Sequence, residues 1–191
     1  RKEIAALLRE NGIPGKPTHR MDYISASISG RYTLHDYYSG FSISIKDPYS
    51  NTGFDIGIDT KLWPTRIMID KGDLRYYQYF DKSSMVYGGL FRDFILTSRP
   101  GRINMILGAS LSAAYTFGNK FRGTEILPET GFKLIPGLKL KWTKGPVSVS
   151  MGFEYINYDY YKTGPVWLRT GIAYNYYPER MRLRIKKIKW N

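Results

Sequence analysis

The chain has 191 residues, no cysteine and two histidines, with 29 basic against 16 acidic residues for a net charge of +13. These counts exclude disulfides and thiolate-bound metal, and two histidines are too few for a multi-histidine metal site. Aromatics reach 16%, led by 17 tyrosines, yet mean hydropathy is −0.38, and no apolar run approaches the roughly 18 residues that a membrane helix requires.

In chain order, residues 1–12 follow a helix pattern, with Ile4, Leu7 and Leu8 on one side and Gly12 as a stop signal. The stretch from Ile4 to Gly12 resembles the last helix of an ankyrin-type repeat, a likeness that implies further repeats upstream, since one repeat cannot bury its own core. A short amphipathic helix leading into the next element is the competing reading. Pro14, Gly15 and Pro17 mark a linker, so residues 1–21 form an N-terminal helix and linker. The chain opens on Arg1 without a Met, as expected of a processed protein or of part of a longer one.

From Tyr23 the apolar period is two. Ile24, Ala26, Ile28, Tyr32 and Leu34 alternate with serines, Arg31 and Thr33, and after a turn near His35-Asp36 the phase changes so that Phe41, Ile43 and Ile45 alternate with Gly40, Ser42, Ser44 and Lys46. Phe54, Ile56, Ile58 and Leu62 alternate with Asp55, Gly57, Asp59 and Lys61 up to Pro64. Residues 65–80 are ambiguous: Ile67 and Ile69 continue a strand, while Asp70-Lys71-Gly72-Asp73 reads as a turn or a bulge. Residues 84–97 form a strand with bulky groups on both faces, and Arg99-Pro100-Gly101-Arg102 is a turn.

The clearest strand follows. Ile103, Met105, Leu107, Ala109, Leu111, Ala113, Tyr115 and Phe117 occupy every second position, with small, mostly polar residues between them. Alternate side chains of a strand point to opposite faces, so one face is continuously apolar over a length that crosses a bilayer at a tilt, about 9–11 residues. After an irregular stretch at 119–129, Phe132 to Trp142 and Val147 to Tyr155 repeat the pattern around the Lys144-Gly145-Pro146 turn, and Val166, Leu168, Ile172, Tyr174 and Tyr176 close it.

These elements amount to about eight clear strands plus one ambiguous segment over residues 22–178, and because single-chain barrels usually have even strand numbers, eight is the first expectation and ten the second. A sheet of this kind spans a membrane only when closed, because every backbone group must be paired in lipid. The expected fold is therefore an all-β, closed antiparallel transmembrane β-barrel. The repeated alternation, tyrosine-rich strand ends and short turns opposite longer loops resemble the small bacterial outer-membrane barrels in general. That resemblance implies a place in the outer membrane of a Gram-negative bacterium, in contact with its lipid and lipopolysaccharide. Such barrels end on an aromatic residue; Tyr176 and Tyr177 fit, but a basic segment follows and the chain ends Trp190-Asn191. A soluble barrel of the lipocalin kind would reverse the assignment, with apolar faces inward.

On the membrane register the lumen receives Asp55, Asp59, Lys133, Lys139, Lys141, Glu154 and Arg169. A narrow barrel fills its interior with side chains, and opposite charges there satisfy one another because an unpaired buried charge is costly; the expected outcome is a plugging ion network. Asp55 and Asp59 as a catalytic carboxylate pair, or the lysine row Lys133, Lys139 and Lys141 as an anion path, are the competing functional readings. Tyr155, Tyr158, Tyr160, Trp167, Tyr174 and Tyr176 are expected to form an aromatic girdle at the membrane interface, a simpler reading than a platform for glycan or bases.

The charge is gathered at the ends: residues 1–20 carry +3, residues 179–191 carry +5, and the body between them the remaining +5. Within 179–191, a basic strand or tail, Arg180, Arg182, Arg184, Lys186, Lys187 and Lys189 are expected to contact lipid phosphates or an acidic partner protein. No nucleic-acid-binding motif accompanies the charge, so no nucleic-acid partner is expected. No cofactor or metal is implied, and a membrane-embedded protease or lipase would have to use His35 beside Asp36 at a strand end. The leading expectation is a non-enzymatic outer-membrane barrel serving as a structural or accessory subunit of a cell-envelope complex. The alternatives are an anion- or ligand-binding transport barrel and a membrane-embedded hydrolase.

Overall fold

The computed structural model describes residues 21, 23–34, 36–70, 76–97, 103–118, 131–157 and 164–176. Ten strands lie among them: β1 (Tyr23–Tyr32), β2 (Tyr37–Lys46), β3 (Thr52–Thr60), β4 (Thr65–Asp70), β5 (Tyr76–Asp81), β6 (Ser84–Thr97), β7 (Asn104–Phe117), β8 (Gly131–Lys144), β9 (Val147–Tyr155) and β10 (Val166–Tyr176). Eight of them form a closed antiparallel barrel in which β1 pairs with both β2 and β10, while β4 and β5 pair only with each other. The ambiguous segment is thus a hairpin set between β3 and β6, which pair directly, as at Ile56↔Gly88. Eight strands close the barrel, and the alternative of ten in the barrel is set aside. The helix expected over residues 1–12 and the linker after it, up to residue 20, lie outside the described residues, as do the stretch at 119–129 and the basic run at 179–191.

The facing of the side chains follows from parity. On β1 to β3, Ile28, Phe41, Ile43, Ile56 and Ile58 are exposed, whereas Ser25, Ser29, Ser42, Asp55 and Asp59 are buried. The same holds on β7, where Leu111 is exposed and its neighbours Ser112 and Ala114, across the pleat, are buried. Apolar groups therefore cover the outside and polar ones fill the inside, the reverse of a lipocalin-like barrel. Burying so many serines and charges is tolerable only because they face one another across a narrow lumen.

Connection lengths sort by end. The end that holds Tyr23 and Tyr176 carries the turns at 47–51 and 145–146 and the β6–β7 connection; the other carries 33–36, the segment with the β4–β5 hairpin, 118–130 and 156–165. Gly145, at φ 60°, opens a two-residue turn with Pro146, the conformation a tight hairpin requires and glycine adopts without strain. Pro136, inside β8, lies just beyond the last β8–β9 pair, Gly137↔Glu154, so its missing N–H costs no bond on that side.

Candidate functional site

The lumen is filled in three tiers. Nearest the long-loop end, the Lys61 ammonium donates to Asp36 Oδ2 at 2.6 Å and also pairs with Asp81. It lies 5.0 Å from the ring centre of Tyr38. Tyr38 in turn shares a 2.6 Å hydrogen bond with Ser83 Oγ and packs at 5.7 Å against the ring of Trp167. With buried Met85, Ile135 and Ile156, these rings close the barrel mouth around a buried ion triad.

The middle tier is a four-charge network. Arg31 pairs with Asp59 and donates from Nε to Glu154 Oε2 at 2.5 Å. Arg169 donates from Nη1 to Glu154 Oε1 at 2.6 Å and from Nη2 to Tyr87 Oη at 2.6 Å. Both guanidinium groups also lie over the Tyr87 ring, at 4.5 and 5.2 Å. Glu154 thus accepts from two arginines, a charge-assisted arrangement stronger than neutral hydrogen bonds. Small residues make the space: a side chain added at Gly40 would run into the Asp59 carboxylate, and one at Gly57 into the Tyr87 ring.

Toward the short-turn end, Asp93 accepts from Lys141 at 2.6 Å and from Lys46 at 3.2 Å. Lys139 and Lys141 both lie over the Phe91 ring, at 5.3 and 4.9 Å, with Lys46 over Tyr23 at 4.5 Å. Between this tier and the arginines is a cavity of about 70 Å³, lined by Asp55, Lys139 and a row of serines.

The sequence-predicted lumen residues are distributed over these tiers. Asp59, Glu154 and Arg169 meet in the middle network, Lys141 joins Asp93, and Asp55 and Lys139 line the cavity. Lys133 has the same inward parity on β8, opposite Ala114 near the long-loop end. Asp55 and Asp59 do not form a carboxylate pair, because Asp59 is committed to Arg31. Sequence reading left out Arg31, Lys46, Asp93 and Tyr87, although each stands on the inward parity of its strand.

Of the girdle, Tyr155, Tyr174 and Tyr176 are exposed on the outer face. Trp167 requires a correction: it is 0% exposed and sits inside the barrel against Tyr38. Its odd number in a strand whose outward residues are even already places it on the inner face. Tyr158, Tyr160 and the basic residues Arg180, Arg182, Arg184, Lys186, Lys187 and Lys189 lie outside the described residues, as does His35. No group of three or more metal-ligating side chains occurs among the described residues.

No family model and no curated protein matches the sequence. Among solved structures, the N-terminal β-barrel domain of Pseudomonas aeruginosa OprF is similar, at 11% identity over 82% of this chain and 98% of that one, with a TM-score of 0.50. A major outer membrane protein from Thermus thermophilus aligns at 12% identity over 81% and 99% of the two chains, with a TM-score of 0.49. Neisserial surface protein A aligns at 16% identity over 80% and 94%, with a TM-score of 0.39. The likeness to the OprF domain is one of fold: the chain has the architecture of the small outer-membrane barrels.

Proposed function

We propose that the chain is a non-conducting barrel of the bacterial outer membrane that serves as a structural or accessory subunit of a cell-envelope assembly. The observation that carries this reading is the middle tier, where Arg31, Asp59, Glu154, Arg169 and Tyr87 bond to one another across the lumen. An ion entering there would have to separate buried partners, and breaking one such pair costs roughly 3–5 kcal/mol. The apolar outer face supports a seat in the bilayer, since a water-soluble monomer rarely exposes so large a contiguous apolar surface.

The subunit role draws on the basic ends. The six basic residues between Arg180 and Lys189 would dock an acidic partner or lipopolysaccharide phosphates. A hydrolase is disfavoured because each suggested pairing loses one member to an ion pair: Asp36, beside His35, is engaged by Lys61, and Asp59, the partner suggested for Asp55, by Arg31.

Two measurements test the proposal. Planar-bilayer recording of the purified chain is expected to give no current of porin size; sustained porin-like conductance contradicts the plug. Mild-detergent extracts run on native gels are expected to carry the chain in a stoichiometric assembly that weakens when the six basic residues become Gln. Recovery of the wild type solely as a single chain contradicts the subunit role.

A further inference from the structure

The outward positions of the eight barrel strands are almost free of charge. Among the described residues they hold two charged side chains: Lys144, which ends β8 beside the Gly145 turn, and Arg92, which lies inside β6. Arg92 is exposed and shares its face with Leu90 and Phe94, both exposed as well. In the lumen Arg31, Lys46, Lys141 and Arg169 each meet a carboxylate. Arg92 meets none among the described residues, and its guanidinium lies over the Phe94 ring, 5.4 Å from the centre. A cation on a lipid-facing strand is costly unless it reaches the interface or finds an anion.

The side chain leans toward one end. β6 runs to the short-turn end, and Phe94 is two residues further along it than Arg92. Across the ladder Arg92 faces Thr52, the first residue of β3, directly after the 47–51 turn. Long basic side chains reach toward the nearer headgroups in this manner. In an outer-membrane barrel the short turns face the periplasm, so the phosphates on that side belong to the periplasmic leaflet.

The wall around Arg92 is hollowed. Its neighbours on the two flanking strands are small, Thr52 on β3 and Ala109 on β7. Met21, Phe54, Leu90 and Leu111 stand around them and leave an open groove of about 570 Å³, within the range of about 300–1,000 Å³ in which proteins hold organic ligands. An unpaired guanidinium beside an apolar groove suits a molecule that is anionic at one end and apolar along the rest, and the planar fork of arginine matches two phosphate oxygens. We infer that this wall is a phospholipid seat: Arg92 takes the phosphate of an anionic glycerophospholipid from the leaflet on the short-turn side, and the groove takes its acyl chain. The inference rests on the bilayer seat proposed above and is independent of the subunit role.

Native mass spectrometry of the whole chain in detergent micelles, titrated with phosphatidylglycerol, is expected to show one copy held more tightly than the rest. Phosphatidylcholine, whose own cation offsets its phosphate, is expected to be held more weakly. Arg92→Gln is expected to weaken the tight copy by about fivefold or more, the loss that follows from one basic residue's attraction to anionic lipid. Ala109→Leu, which fills the groove and leaves the charge in place, is expected to weaken it too, whereas Lys144→Gln is expected to change nothing. Undiminished retention in Arg92→Gln or Ala109→Leu, or an equal loss in Lys144→Gln, would overturn the assignment. Equal retention of the two lipids, or a second polypeptide bound through Arg92 in place of lipid, would do the same. A nitroxide on Leu90→Cys in phospholipid vesicles reads the bilayer seat separately. High oxygen accessibility there without a tight copy in the micelles overturns the lipid site alone, and low accessibility overturns the bilayer seat and the lipid site with it.

Discussion

Glu154 is the residue on which the middle tier turns. Its two carboxylate oxygens each take an arginine, at 2.5 and 2.6 Å, so neutralising it leaves Arg31 and Arg169 with a single remaining carboxylate, Asp59. Glu154→Gln is expected to lower stability by roughly 3 kcal/mol, within the range for breaking a buried pair, measured as a lower denaturant midpoint for the micelle-bound barrel. Stability equal to the wild type would mean that the network contributes nothing to the fold. Gly57 tests the packing side of the same tier. A side chain there meets the Tyr87 ring and the backbone carbonyl of Phe41, and the carbonyl cannot move without disturbing β2. Gly57→Val is expected to destabilise by about 1–3 kcal/mol through overpacking, and an unshifted midpoint would show that Tyr87 has room to retreat. At this scale the sequence was partly legible. Parity put Glu154, Asp59 and Arg169 inside, but Arg31 meets Glu154 across a separation of 123 residues. Such a contact depends on how the sheet closes, and alternation within one strand carries no information about closure. Trp167 shows the opposite case: its parity was informative and its aromatic character pointed the wrong way.

At the scale of the strand, one substitution separates lipid-facing from lumen-facing positions. Leu90 is 69% exposed in the middle of β6, opposite Phe54 and Leu111. Leu90→Arg is expected to cost about 2–4 kcal/mol in folding into phospholipid vesicles, the penalty for a cation at the midplane of a lipid-facing strand. The same change at Phe117, at the end of β7, is expected to cost at most about 1 kcal/mol, as near the interface. Equal costs at the two sites would contradict this difference in depth. The long strands were legible because period-two alternation is sustained over 14 residues in β7, with little else the pattern could mean. The segment 65–80 was not, for a physical reason. A hairpin beside the barrel and a pair of barrel strands have the same local pattern, and what decides between them is that β3 finds β6 directly.

For the whole molecule, the inside and outside of the barrel answer to different solvents. The lumen satisfies its charges in three tiers, and the exterior leaves Ile28, Leu90, Leu134 and Ile172 more than half exposed, which water would penalise at about 25 cal/mol per Å². Purified without detergent or lipid, the chain is therefore expected to aggregate, as followed by light scattering. A monodisperse chain in plain buffer would mean that something other than lipid covers this face. Because the chain has no cysteine, single cysteines can be placed anywhere without removing native ones. The most direct measurement is a nitroxide scan along β7 from position 107 to 114 in phospholipid vesicles. Oxygen accessibility is expected to alternate, high at 107, 109, 111 and 113 and low at 108, 110, 112 and 114. Accessibility that peaks at the even positions, or that shows no period of two, would contradict a barrel whose apolar face meets the acyl chains.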